Sequence, residues 1–228
     1  MIKVILWDID GTLLNFLRAE YESIKKCFAK FNLGECTDEM IARYSVINRK
    51  YWEKLERGEI SKQEVLIHRF EEFFAQENIV TDCAEAFNKQ YQYNLGDTIC
   101  FNDNGFKLIQ ELKGKVKQYA VTNGTKTAQD RKLDKSGLRE LFDGVFISEE
   151  VGIEKPGKGF FDFVFQTIGN YELDEILIVG DSLTSDMQGG NNAGIKCCWY
   201  NPKGLENQKD LRIDYEISNL QEVKNILK

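Results

Sequence analysis

"LWDIDGTLL" (Leu6–Leu14) does something that folding alone does not require. An apolar run closes on Trp7 and then meets Asp8 and Asp10, two acids separated by one residue. Strand side chains alternate in direction, so both carboxylates are expected on the same side as the chain leaves the strand. Two carboxylates that close repel unless one keeps its proton or a cation lies between them. Alone, an acidic pair followed by Gly11 reads as a solvated turn. The rest of the chain changes that reading.

After the first strand, "KVILWD" (Lys3–Asp8), five further runs read as strands: "KQYAVTN" (Lys117–Asn123), "GVFIS" (Gly144–Ser148), "EILIVGD" (Glu175–Asp181), "IKCCWY" (Ile195–Tyr200) and "DYEIS" (Asp214–Ser218). Helix-length segments lie between them at Thr125–Lys135, Gly159–Ile168 and Thr184–Ala193, the last closed by Gly194. This alternation predicts βαβ units, hence an α/β fold with a parallel sheet covered by helices on both faces. In such a sheet the binding crevice lies outside the carboxyl ends of the strands. Reactive groups collect at that edge. The second strand delivers Thr122 with Asn123 and Gly124 behind it. "GIEKPGK" (Gly152–Lys158) delivers Lys155, and "GDSLTSD" (Gly180–Asp186) delivers Asp181 and Asp186. Singly, Thr122 could be a helix N-cap, Lys155 a solvated loop cation and Asp186 an acid favoured by a helix dipole. Together, on one sheet edge, they point to a site.

The first connection breaks the βαβ pattern. Roughly 100 residues separate Asp10 from the second strand, far more than a crossover needs. They read as helices near Arg18–Phe31, Thr37–Glu56, Ser61–Gln76 and Asp82–Tyr93, with another at Gly105–Leu112. Within "LERGEISKQEV", Ser61 followed by Glu64 has the form of a capping box. The chain is therefore expected to form a core domain from residues 1–16 and 97–228, interrupted by a helical cap domain at 17–96 that is placed to act as a lid.

Composition narrows the chemistry. A net charge of −7 argues against nucleic acid as a partner but allows a small anion. No apolar stretch approaches the roughly 18 residues needed to span a bilayer, and none resembles a signal peptide, so a membrane is not an expected partner. The six cysteines form no CxxC pair, which suits reduced thiols and a cytoplasmic protein. With His68 as the single histidine, a Ser-His-Asp triad or a multi-histidine zinc site has little to be built from. Chemistry must run on carboxylates, Lys and Thr.

The four motifs "DIDGT", "TN", "KP" and "GDSLTSD", in this order, resemble those of the haloacid dehalogenase superfamily, and the likeness runs from Met1 to about Pro202. The resemblance implies a Rossmann-like core with a cap inserted after the first motif. It implies that Asp8 is the nucleophile, forming an aspartyl-phosphate, and that Asp10 protonates the leaving oxygen and then activates water. Thr122 and Lys155 would hold phosphoryl oxygens. Mg²⁺ would be held by the Asp8 carboxylate, the Asp10 backbone carbonyl and Asp181, with Asp186 in support. Dehalogenases lack the second acid and need no metal, so Asp10 and the Asp181/Asp186 pair favour a phosphatase. A signalling receiver domain also uses Asp, Thr and Lys, but it carries its phosphoacceptor after the third strand and has no such insertion. A non-catalytic phosphate-binding descendant would show a lost catalytic residue, and none is lost.

Segments such as "NRKYWEKLERGEISKQEVLIHRF" (Asn48–Phe70) and "GDSLTSDMQGGNNAGIKCCWYNP" (Gly180–Pro202) are similar to the pyrimidine 5′-nucleotidase branch. That implies a nucleoside monophosphate as the small phosphorylated partner; the alternative is phosphoglycolate or a sugar phosphate. Tyr44, Asn48 and Trp52 share one helix face. Asn48 and Trp52 are candidates to contact a base, while packing within the cap is the competing and simpler reading of the stripe. Asn123 and Gly124 complete the candidate substrate contacts beside Thr122 and Lys155.

Overall fold

A computed structural model describes residues 1–208 and 210–228. The chain divides into two compact units, one of Met1–Asn15 with Ile99–Lys228 and one of Phe16–Thr98.

The helical unit contains α1 (Phe16–Phe31), α2 (Asp38–Glu56), α3 (Lys62–Gln76) and α4 (Ala84–Asp97). Ser61 and Glu64 do form the reciprocal capping box that starts α3. Aromatic residues fill the interior. Tyr44 stacks on Phe70 with ring centroids 5.2 Å apart, and Phe28, Phe73, Phe87 and Tyr91 close around them edge-on or tilted. Each such burial contributes about 1.5–3 kcal/mol, enough for four amphipathic helices to define a core of their own.

The other unit is α/β. Its six strands are β1 (Val4–Trp7), β2 (Lys117–Thr122), β3 (Gly144–Ile147), β4 (Ile176–Gly180), β5 (Lys196–Tyr200) and β6 (Tyr215–Ile217). All pair in parallel, in the order β3-β2-β1-β4-β5-β6, with Leu6 opposite Tyr119 on one side and Ile178 on the other. Strand order reverses at β1, so the connections after β1 and β4 leave in opposite directions and open a crevice at its carboxyl end. The strand alternation is plain in β1. Ile5 and Trp7 enter the cluster containing Leu108, Leu133 and Val179, whereas Val4 and Leu6 enter the one containing Phe160, Phe161 and Ile178. Cys197 and Cys198 separate to opposite faces in the same way and are free buried thiols.

Around the sheet lie α5 (Gly105–Leu112), α6 (Lys126–Ser136), α7 (Ser148–Val151), α8 (Lys158–Ile168), α9 (Gln188–Ala193) and α10 (Val223–Ile226). The helix expected over Thr184–Ala193 is instead a π-helical turn, Leu183–Met187, running into α9. The wide turn forms because Ser182 is bonded twice: its Oγ accepts from Ser185 N, and its own N donates to Asp186. α7 and α10 have four residues each, too few to show a helical period in the sequence.

Candidate active site

β1 ends at Trp7, and Asp8 follows as a nearly buried carboxylate. Lys155 Nζ donates to its Oδ1 at 2.9 Å and Thr12 Oγ1 to its Oδ2 at 2.9 Å. Thr12 also reaches Asp181 Oδ1 at 3.3 Å. The turn that returns Thr12 to the strand end needs Gly11, whose φ is +98°. A Cβ there would lie 2.5 Å from Asp181 Oδ2.

Lys155 is buried and makes three bonds: to Asp8, to Asp186 Oδ1 at 2.6 Å, and to the Val121 carbonyl at 2.8 Å. Burial works against its charge, but the negative charges of Asp186 and Asp8 outweigh it, and the ammonium pKa is raised above its usual value. The backbone beside it is fixed by Asn123, which accepts from Lys155 N and donates to Lys155 O, both at 2.8 Å. Asn123, a candidate substrate contact from the sequence, thus spends its amide on positioning Lys155. Thr122 is buried, and its Oγ1 accepts from Gly124 N at 3.0 Å.

Asp8, Asp181 and Asp186 bring carboxylate oxygens within 4.8 Å of one another. Burial first, and the charge of Asp186 second, push the Asp8 carboxyl up to about 7 in spite of Lys155. Asp181 keeps an exposed outer edge, yet its carboxyl is crowded by protein and faces Asp8 and Asp186; crowding first and those charges second hold its pKa well above the ordinary range. One lysine does not neutralise three acids. Hard oxygen donors with surplus negative charge fit a Mg²⁺ ion. Within the trio, Asp186 is committed on both oxygens, to Lys155 and to Ser182 N at 3.2 Å, which leaves it a supporting member. Asp181 is oriented from behind by Trp199 Nε1, which donates to its backbone carbonyl at 2.9 Å.

Asp10 does not share partners with Asp8. Because regular strand ends at Trp7, alternation no longer governs the direction of Asp10. Its carboxylate meets Gln129 Nε2 at 2.5 Å and Lys132 Nζ, both from α6. The side chain is therefore held by partners of its own, while its charge still bears on Asp8. Gln129, Lys132 and Thr12 are the site residues that the sequence reading passed over. Thr12 lies inside the first motif, and Gln129 and Lys132 sit three apart on the helix that follows "TNG".

In the helical unit, Asn48 is buried with both ends of its amide used: Nδ2 donates to Glu20 at 2.8 Å and Oδ1 accepts from Arg69 at 2.8 Å. Tyr44 belongs to the aromatic interior, as the simpler reading of the stripe expects, and Trp52 is half-buried. His68 is partly exposed on α3.

Residues 5–200 match the model of the haloacid dehalogenase-like hydrolase family. YfnB of Bacillus subtilis, named as a HAD-hydrolase, is 35% identical over 99% of this chain and 95% of its own. The pyrimidine 5′-nucleotidase PynA of Streptococcus pneumoniae is 34% identical over 99% of this chain and 97% of its own. A magnesium-bound crystal structure of YfnB, described as revealing interdomain movement, superposes with a TM-score of 0.94 at 34% identity, covering 100% of this chain and 99% of that one. The L-2-haloacid dehalogenase of Xanthobacter autotrophicus reaches a TM-score of 0.77 at 15% identity over 100% and 98% of the two chains, a likeness of fold alone. The chain belongs to the haloacid dehalogenase-like hydrolases.

Proposed function

We propose that the protein is a Mg²⁺-dependent phosphomonoester hydrolase that works through an aspartyl-phosphate on Asp8, with pyrimidine nucleoside 5′-monophosphates as its substrates. The observation that carries the reading is the pairing of a lysine-bound Asp8 inside a three-carboxylate cluster with a second, separately held acid at Asp10. A dehalogenase has use for the lysine-bound Asp8 and none for Asp10.

The chain's own residues supply the steps. Lys155 and Thr12 aim the two oxygens of Asp8, so one carboxylate oxygen is presented to phosphorus in a fixed direction. As that oxygen attacks, the bond from phosphorus to the leaving oxygen breaks, and Asp10 gives its proton to the departing alcohol. Asp10 then takes a proton from water as the water oxygen attacks phosphorus, and Asp8 leaves as a carboxylate. Thr122 donates to a phosphoryl oxygen, and Lys155, whose three protons go to Asp8, Asp186 and the Val121 carbonyl, adds positive charge beside it as charge develops. Asp8, Asp181 and the Asp10 carbonyl would hold Mg²⁺, which when bound offsets the negative charge that carboxylate and phosphate bring together.

Support for the nucleotide substrate comes from two relatives named as pyrimidine 5′-nucleotidases, PynA and, at 29% identity over 98% of this chain, YjjG of Escherichia coli. Within the helical insertion, Trp52 is the residue to test for an effect on nucleotide specificity, since Asn48 has its amide committed. The deciding experiment measures phosphate release from UMP, dUMP, dTMP, phosphoglycolate, sugar phosphates and an aryl phosphate, with and without Mg²⁺. Mg²⁺-dependent turnover with the highest kcat/KM on the pyrimidine nucleotides is expected. Turnover that favours phosphoglycolate or a sugar phosphate would overturn the substrate; none with Mg²⁺ would overturn the phosphatase. Trp52→Ala should raise KM for nucleotides and leave KM for the aryl phosphate nearly unchanged.

A further inference from the structure

The two oxygens of Asp10 are each held by their own donor, and both donors come from one face of α6. Gln129 and Lys132 are three residues apart on that helix, so their side chains stand side by side. Gln129 Nε2 lies 2.5 Å from Asp10 Oδ2, and Lys132 Nζ pairs with Oδ1. Gln129 is 0% and Lys132 1% exposed, whereas the Asp10 side chain keeps 20% of its surface open. Two long polar side chains are therefore withdrawn from water to meet a carboxylate that is itself still reachable. A fold that needed only to pack α6 would use apolar residues there, as it does at Ala128 and Leu133.

The local backbone is shaped around this contact. A Cβ on Gly124 would lie 2.1 Å from Gln129 Nε2 and 2.8 Å from its Cδ, so the Gln129 amide fills the space that a side chain at 124 would take. The amide's orientation is set by Asp10, because a carboxylate accepts and the NH₂ group must face it. The price is that Gln129 Oε1 is buried with no hydrogen-bond partner among the described residues. A buried acceptor left unpaired is uncommon and marks a group held in place for another purpose.

We propose that Gln129 and Lys132 are positioning residues for Asp10, fixing its carboxyl group in the one orientation from which it exchanges protons with the leaving oxygen and the attacking water. The proposal rests on the reading of Asp10 as the proton-handling acid. Neither residue touches phosphorus or the phosphoryl oxygens in this scheme. Their effect on the chemical step travels through Asp10, so it must follow the demand for a proton.

That demand is varied by the leaving group. A nitrophenolate departs without a proton, whereas the alkoxide of an alkyl or nucleoside phosphate needs one. The test compares kcat/KM on p-nitrophenyl phosphate, phenyl phosphate and an alkyl phosphate for Gln129→Met, Gln129→Asn and Lys132→Met. Gln129→Met keeps chain length and loses the amide; Gln129→Asn keeps the amide and loses the reach. Should one fail to fold, as a thermal melt would show, the other still decides. Each variant is expected to lose about 30-fold or more on the alkyl phosphate and no more than about 3-fold on p-nitrophenyl phosphate. Equal losses across the series, or none, would overturn the proposal. Asp10→Asn run alongside separates the two ideas. If it shows the steep leaving-group dependence and the α6 variants do not, positioning fails; if it is itself flat, the role of Asp10 fails.

Discussion

Glycine at 11 shows how far a single residue carries the site. Its φ of +98° lies where an L side chain is strained, and a Cβ would strike the Asp181 carboxylate at 2.5 Å. Gly11→Ala therefore meets two penalties, of backbone and of contact. We expect it to cost about 1–3 kcal/mol of stability in urea unfolding and to weaken Mg²⁺ binding in the same protein. Unchanged Mg²⁺ affinity would mean that Asp181 is not held where its role requires. Residue identity was the most legible part of the sequence. Asp8, Thr122, Lys155, Asp181 and Asp186 were named from the ends of strands, and the structure brings four of them, all but Thr122, into a hydrogen-bonded or acid cluster. What a side chain touches was less legible. Nothing in "TNG" says that the Asn123 amide faces the Lys155 backbone, because that contact joins residues on different loops.

At the scale of elements, helices and strands followed from period and punctuation, and the Ser61 capping box appeared where its spacing placed it. Helix interiors were harder to read. Arg69 on α3 is 1% exposed and joins Asn48 of α2 to Asn88 of α4, with its guanidinium 4.8 Å from the Phe70 ring centroid. Asn48 in turn donates to Glu20 of α1, whose pKa is raised, chiefly by burial. Four helices are thus tied through one charged side chain inside an aromatic core. Arg69→Met leaves the Asn48 Oδ1 without its donor, takes one of two donors from Asn88 Oδ1 and removes the positive charge that favours buried Glu20. The expected cost is about 2–4 kcal/mol, read as lost hydrogen-exchange protection in α1–α4. Protection equal to that of the native protein would show the network to be incidental. A sequence shows an arginine between apolar neighbours as a helix residue like any other; only the packing of four helices puts it inside.

For the molecule as a whole, the acid cluster ties stability to pH and metal. In the metal-free protein the Asp8 carboxyl titrates at about 7 rather than at its ordinary 3.8, and Asp181 is displaced in the same direction. A raised acid disfavours the ionised form in the folded state. Its contribution is therefore favourable at low pH and is lost as pH rises from about 4 to about 7. Mg²⁺ binds the ionised carboxylates and so releases protons. The rise in Tm on adding Mg²⁺ should grow between about pH 5 and pH 8 and then level off, measured as the difference between scans with and without the ion. A difference independent of pH would show that these carboxyls are already ionised without metal. Among the described residues no helix is long and apolar enough to cross a membrane.

The sequence by itself determined the strands, the helical insertion and the order of reactive groups, because these depend on period, on turn residues and on which side chain ends each strand. Those properties are local, and a strand that ends in Asp8 does so in any alignment of its neighbours. The tertiary structure alone decided which partners hold the two acids, Lys155 for Asp8 and Gln129 and Lys132 for Asp10. Strand alternation stops at Trp7, and beyond it direction is set by partners that lie over a hundred residues away in the chain.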